Sequence, residues 1–191
     1  KGVWEPIPTQ PIEDNITNIS LKYVIATDCG KHESTPFNIN LGFGSYTRNV
    51  QLGYNTICLP HGSSNYTGAT FYEIAYLDGD IRKIFFDEVT TLKAGYPYVF
   101  YPTDNQVVIH YNNTTGDAMA KNGLHGTFTD ITAASNFLYG KYMAYGHYFV
   151  LCGNGCSLRA NRAYIELSEI PTKTKPVVAG RRRVSLDYMD S

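Results

Sequence analysis

The chain has 191 residues, of which 43% are hydrophobic, 14% aromatic and 17% charged, enough apolar material for one fair-sized core or two small ones, and too much for a disordered or coiled-coil chain. Its formal charge of -1 offers no pull toward a phosphate backbone or an anionic lipid surface, so nucleic acid is not expected as a partner. No apolar run approaches the roughly 20 residues of a membrane span, and no membrane insertion is expected within this chain.

The aromatic excess is mostly tyrosine, 16 against 9 phenylalanines and 1 tryptophan. Tyrosine suits a pleated surface with one apolar and one wet side, which tilts the class toward β. The opening stretch carries Pro6, Pro8 and Pro11 among polar residues and reads as an extended lead-in. Lys1 to Thr9 lacks the apolar core of an export signal, so the expectation is a mature form whose signal or anchor lies outside it.

Ile19 to Thr27 is expected as a first strand, closed by Asp28, Cys29 and Gly30. Pro36 to Val50 is strand-like but dotted with Gly42 and Gly44, and Asn55 to Pro60 forms a compact apolar strand. In Phe71 to Phe86 two runs rich in Tyr, Ile and Phe flank Asp78-Gly79, the signature of a hairpin with a two-residue turn. A second hairpin is expected from Tyr96–Tyr101 and Val107–Tyr111, across Pro102 to Gln106, with Pro97 at an edge or near a strand start. Further short strands are Gly123 to Phe128, Phe137 to Tyr139, Tyr148 to Leu151, Ala163 to Leu167 and Val184 to Tyr188. Helix is confined to short pieces near Ala118–Lys121 or Ile131–Asn136, since no segment sustains a 3.6-residue apolar stripe.

These elements predict an all-β fold, an antiparallel β-sandwich or two small packed β lobes. Residues 46–191 form the main domain, and residues 1–45 add a lead-in and strands to the same unit. One internal echo stands out. Leu92 to Tyr98 and Leu158 to Tyr164 share Leu, a basic residue, Ala, Gly or Asn, two further residues and Tyr. Each places a residue tolerant of left-handed backbone just before a tyrosine-bearing strand.

Residues 55–60 (Asn-Thr-Ile-Cys-Leu-Pro) followed by residues 68–73 (Gly-Ala-Thr-Phe-Tyr-Glu) resemble a group of exported surface proteins of Bacteroidales, and both echoed segments extend the likeness. So does the arginine-containing segment Arg181 to Leu186, and coverage runs from Tyr46 to Tyr188. The chain departs from the pattern at His61, where the family more often has Phe. The resemblance implies a β-rich, non-catalytic adhesion or structural module, secreted or on the cell surface. Its partner would be a surface protein or a glycan.

Several constellations bear on chemistry. Cys29 and His32, and Cys58 and His61, repeat one thiol–imidazole spacing, but this is not a familiar zinc pattern and no metal or other cofactor is expected. Cys152 and Cys156 flank a glycine-rich turn, where a bridge would close a tight loop, although the spacing also suits a metal or two reduced thiols. The even cysteine count accords with an oxidising compartment, whereas the five Asn-x-Ser/Thr sites, at Asn15, Asn18, Asn65, Asn112 and Asn113, would be glycan acceptors in a eukaryotic secreted protein but mark only polar loops in a bacterial one, which is the preferred reading.

No Gly-x-Ser-x-Gly elbow, Walker loop or dinucleotide fingerprint is present. Glu73, Asp78, Asp80, Asp87 and Glu88 sit on or near hairpin ends, where acids are usually solvated, so no catalytic residue is expected; a glycan hydrolase assembled from them is the remaining enzymatic alternative. Arg181 to Arg183 would suit sulfated or phosphorylated glycans, but with the whole-chain charge balanced it reads as a guard on an edge strand. The best binding candidates are Tyr139, Tyr142, Tyr145, His147 and Tyr148, clustered around Gly140 and Gly146. Exposed rings on a rigid turn would stack on sugars or fill protein pockets, but a tyrosine-rich core edge is the favoured reading, because buried aromatics dominate β cores.

Overall fold

A computed structural model describes residues 3–8, 19–26, 32–38, 44–112, 114–172 and 183–189. Among these the fold is all-β. Strands β1 (Val3–Pro8), β2 (Ile19–Ala26) and β3 (His32–Asn38) form an antiparallel meander, with Val3 opposite Val24 and Ala26 opposite His32. Its prolines, Pro6, Pro8 and Pro36, all lie on the two edge strands, where proline is best tolerated in a sheet.

A second small sheet consists of β4 (Ser45–Asn49), β10 (Gln106–His110) and β6 (Asn65–Thr67), with β10 in the middle. The remaining strands make one ten-stranded sheet. In chain order they are β5 (Asn55–Cys58), β7 (Ala69–Asp78), β8 (Lys83–Val89), β9 (Pro97–Pro102), β11 (Ala120–Lys121), β12 (Leu124–Thr127), β13 (Tyr142–Tyr145), β14 (Tyr148–Leu151), β15 (Arg162–Ile165) and β16 (Arg183–Met189). Their spatial order is β11-β12-β15-β13-β14-β16-β8-β7-β9-β5.

This sheet curls back on itself. The Thr56 hydroxyl on β5 donates to the Ala163 carbonyl at 2.8 Å and accepts from the Ala163 amide at 3.0 Å, while the Cys58 amide donates to the Asn161 carbonyl. Period-two alternation then gives each strand one inward side. Tyr72, Ile74, Ile84, Phe86, Val99, Phe149, Ile165 and Leu186 fill the inside of the curl. The opposite side of β5, β7 and β9 carries Ile57, Phe71 and Phe100, which pack with Tyr46, Val107 and Ile109 of the small sheet into a second core. Each fully buried side chain of this size contributes about 1.5–3 kcal/mol relative to exposure.

Three expectations need correction. Asp78 pairs with Lys83, so the β7–β8 turn spans four residues, with Arg82 at φ 53°, in place of a two-residue Asp-Gly turn. β9 and β10 do not pair: β9 joins β5 and β7, whereas β10 joins β4 and β6. The chain at Pro102 to Gln106 is therefore a corner between sheets. β16 is not an edge strand either, for it lies between β8 (antiparallel) and β14 (parallel). The backbone of Arg183 stands opposite Asp87 in that ladder; Arg181 and Arg182 fall outside the described residues.

Shorter segments also differ. Phe137 to Tyr139 is turn, not strand, and near Ala118–Lys121 the short strand β11 stands in place of a helical piece, whereas the expected short helical piece within Ile131–Asn136 is present as the 3₁₀ turn Ala133–Ser135.

The echoed segments share one local course. Leu92 and Leu158 each sit in an isolated antiparallel bridge, to Ser63 and Ile131. Three residues on, Gly95 (φ 76°) and Asn161 (φ 60°) take the left-handed conformation, and their amides donate to the carbonyls of Leu59 and Thr127. Tyr98 then pairs with Ile57, and Tyr164 with His125, in matching register. Thus β5–β9 and β12–β15 are two copies of one strand pair. In that correspondence Cys58 matches Gly126, and the two touch: a Cβ on Gly126 would lie 2.2 Å from the Cys58 sulfur.

Candidate functional site

The five predicted binding residues separate. Tyr142 is 7% exposed, inside the larger core, with its ring edge-on to Tyr188 at 5.8 Å. Tyr139 is exposed near the base of the β13–β14 hairpin, and Tyr145, His147 and Tyr148 are exposed at its tip. Strand geometry accounts for the division. Tyr142 and Tyr145 are three apart on β13 and so point to opposite faces, while Tyr145 pairs directly with Tyr148 and shares its face.

The tip is braced from the side by residues 51–54. The Tyr54 amide donates to the Gly146 carbonyl at 2.6 Å. Gly53, at φ 126°, packs so closely that a Cβ there would lie 2.7 Å from the Gly146 oxygen. Beneath, the His147 ring stacks on Tyr101 at 6.2 Å, and Tyr101 meets Tyr54 edge-on at 5.0 Å. Leu52, the residue before Gly53, is 79% exposed, and at the tip Tyr145 is 77% and Tyr148 42% exposed. Leu52, Tyr54 and Tyr101 carry no local sequence signal for this role, because only the curl of the sheet brings them to the hairpin.

A second cluster surrounds Tyr164. The His125 ring stacks on it at 5.2 Å with an interplanar angle of 9°, Phe137 meets it edge-on, and the Lys141 ammonium lies over both Phe137 and Tyr164. Lys141 pairs with Glu166 at 2.5 Å, and His125 with Glu169 at 2.7 Å. The Lys141 hydrogen bond holds the Glu166 carboxyl below the usual carboxylate range, whereas burial raises the Tyr164 phenol. The ligand atoms of His125, Glu166 and Glu169 lie within 4.8 Å of one another, a spacing a metal would accept, but Lys141 already supplies Glu166 with a cation. An open groove of about 390 Å³ runs alongside, lined by Thr127, Asp130, Thr132, Ser135, Phe137 and Tyr164.

Cys152 and Cys156 stand as free thiols in hydrogen-bonding contact, without the expected bridge. Burial, followed by the Cys156 neighbour, pushes the Cys152 thiol up to about 12. Cys58 is likewise buried and pushed up to about 12, with its thiol donating to the Gly95 carbonyl. His61 packs on Tyr111 at 4.6 Å between ring centroids. Cys29 lies outside the described residues, and for His32 only the backbone is described. Among the candidate acids, Glu73 and Asp87 oppose each other across the β7–β8 ladder, Asp78 is buried at the strand end, Asp80 lies in the turn and Glu88 stands opposite Tyr72.

The chain matches no protein-family model, and neither the curated proteins nor the solved structures include a significant match.

Proposed function

We propose that this chain is a non-catalytic binding module, secreted or displayed at a cell surface, that engages its partner through the β13–β14 tip and Leu52. The observation that carries the reading is Tyr145, 77% exposed at a tip whose backbone is fixed by the Gly53–Gly146 contact, with Leu52, 79% exposed, one residue from that contact. Rigid exposed rings give large contact area at low entropic cost, which is how binding hot spots work. The resemblance of residues 46–188 to exported surface modules supports the compartment. A sugar is favoured as the partner because Tyr145 and Tyr148 occupy facing positions of one strand pair, a two-ring platform suited to the apolar face of a pyranose.

A glycan array followed by affinity measurement tests the proposal. Tyr145→Ala and Leu52→Ala are each expected to weaken the best glycan roughly tenfold with the melting temperature unchanged. Equal affinity for the wild type and both variants would remove the tip from the binding surface.

A further inference from the structure

At the base of the β13–β14 hairpin the two strands continue for one further pair. The Cys152 amide donates to the Lys141 carbonyl at 2.7 Å, and the Cys152 carbonyl accepts from the Gly140 amide at 3.0 Å. The chain then turns through Gly153, Asn154 and Gly155, all exposed, and returns as Cys156. Cys152 is 3% exposed and Cys156 half-buried, and both pack in a small apolar cluster with Leu138, Tyr164, Met143 and Leu158. Their side chains are in hydrogen-bonding contact. The turn has room to follow a closer approach: Gly155 is left-handed at φ 80°, and a Cβ built on Gly153 or Gly155 would meet nothing within 4 Å. Among the described residues no third thiol, imidazole or carboxylate gathers around the pair, so the ligand set of a metal centre is incomplete. Cys58 is engaged elsewhere, its thiol donating to the Gly95 carbonyl and its sulfur covered by Gly126.

We propose that Cys152 and Cys156 are a redox pair that closes to a disulfide, making residues 152–156 a covalent buckle at the base of the hairpin. The oxidant is a small-molecule disulfide such as oxidised glutathione. Cys156, the more accessible sulfur, loses its proton to solvent and attacks one sulfur of the oxidant, forming a mixed disulfide and expelling one glutathione thiolate. Cys152 then gives up its proton, and its sulfur displaces the second glutathione thiolate. Two protein thiols are oxidised to one disulfide, and one glutathione disulfide is reduced to two thiols. After burial, the Cys156 neighbour is what holds the Cys152 proton on, and that part of the barrier disappears once the Cys156 sulfur is tied up in the mixed disulfide. Because the fold already holds the two side chains together, closure is favoured in the native chain over the unfolded one. The inference is independent of what the tip binds.

The test equilibrates the reduced full chain at fixed reduced glutathione and rising oxidised glutathione, with and without denaturing urea. Samples are quenched in acid, unfolded and alkylated, and linked peptides are identified by mass spectrometry. The expected result is a Cys152–Cys156 link in the native chain with Cys58 alkylated, half-formed at roughly tenfold or more less oxidised glutathione than in urea. The link should survive Cys29→Ser. Cys152→Ser is expected to leave glutathione on Cys156, whereas Cys156→Ser leaves Cys152 unmodified, since burial keeps the oxidant out. Alkylation of both Cys152 and Cys156 across the whole series, a native chain needing as much oxidant as the unfolded one, or a link from either residue to Cys29 or Cys58 overturns the pair. Glutathione on Cys152 in the Cys156→Ser chain, with Cys156 bare in the Cys152→Ser chain, overturns the order of attack.

Discussion

At position 61 an imidazole fills a ring-packing role against Tyr111. Burial lowers its pKa below the ordinary value of 6.5. Unfolded His61 therefore binds a proton at a pH where the folded form does not, so stability falls as pH drops below about 6.5 and is level above it. His61→Phe is expected to keep the packing and flatten the melting temperature between neutral pH and about pH 5. Glu166 acts in a lower window: its depressed pKa gives stability that is complete above the unfolded carboxylate value and lost as pH falls through the folded one. Gly126 is constrained by space, since an added Cβ would meet the Cys58 sulfur at 2.2 Å and its Cβ at 2.8 Å. Gly126→Ala should cost about 1–3 kcal/mol in urea unfolding, part of it returned by Cys58→Ala. Nothing in the local sequence marks this contact, which joins positions brought together only when the two strand-pair copies meet.

Among the elements, the β13–β14 hairpin shows what is legible and what is not. An aromatic concentration around two glycines is visible in the sequence, but Tyr139, Tyr142, Tyr145 and Tyr148 recur every third residue, a spacing that matches neither face of a strand. Only the observed boundaries, β13 from Tyr142 and a turn at Gly146-His147, decide which ring goes inside. Tyr142→Ala should therefore cost about 3–5 kcal/mol by chemical denaturation, as for other large-to-small aromatic changes in cores. Tyr145→Ala should stay within about 0.5 kcal/mol of wild type. The echo at residues 92–98 and 158–164 was readable because left-handed residues have few substitutes, and Gly95 and Asn161 take that conformation.

For the whole molecule, apolar alternation identifies most strand segments but not their partners. The β7–β8 pairing is local and was legible; the separation of β9 from β10 and the insertion of β16 depend on residues far away in the chain. β16 links β8 to β14 and buries Leu186 at 3% exposure. A Lys83–Asp187 pair at 3.2 Å lies on the surface of the same junction and adds little in water. Leu186→Ala is expected to lower stability by about 2–5 kcal/mol, read from the urea midpoint with an unchanged slope.

The position of β16 also orders events during synthesis. Both β8 and β14 must wait, each with a bare row of peptide groups, until residues 183–189 have left the ribosome. A nascent chain stalled before that point would expose two sticky borders at once, inviting pairing with neighbouring chains instead of with its own missing strand.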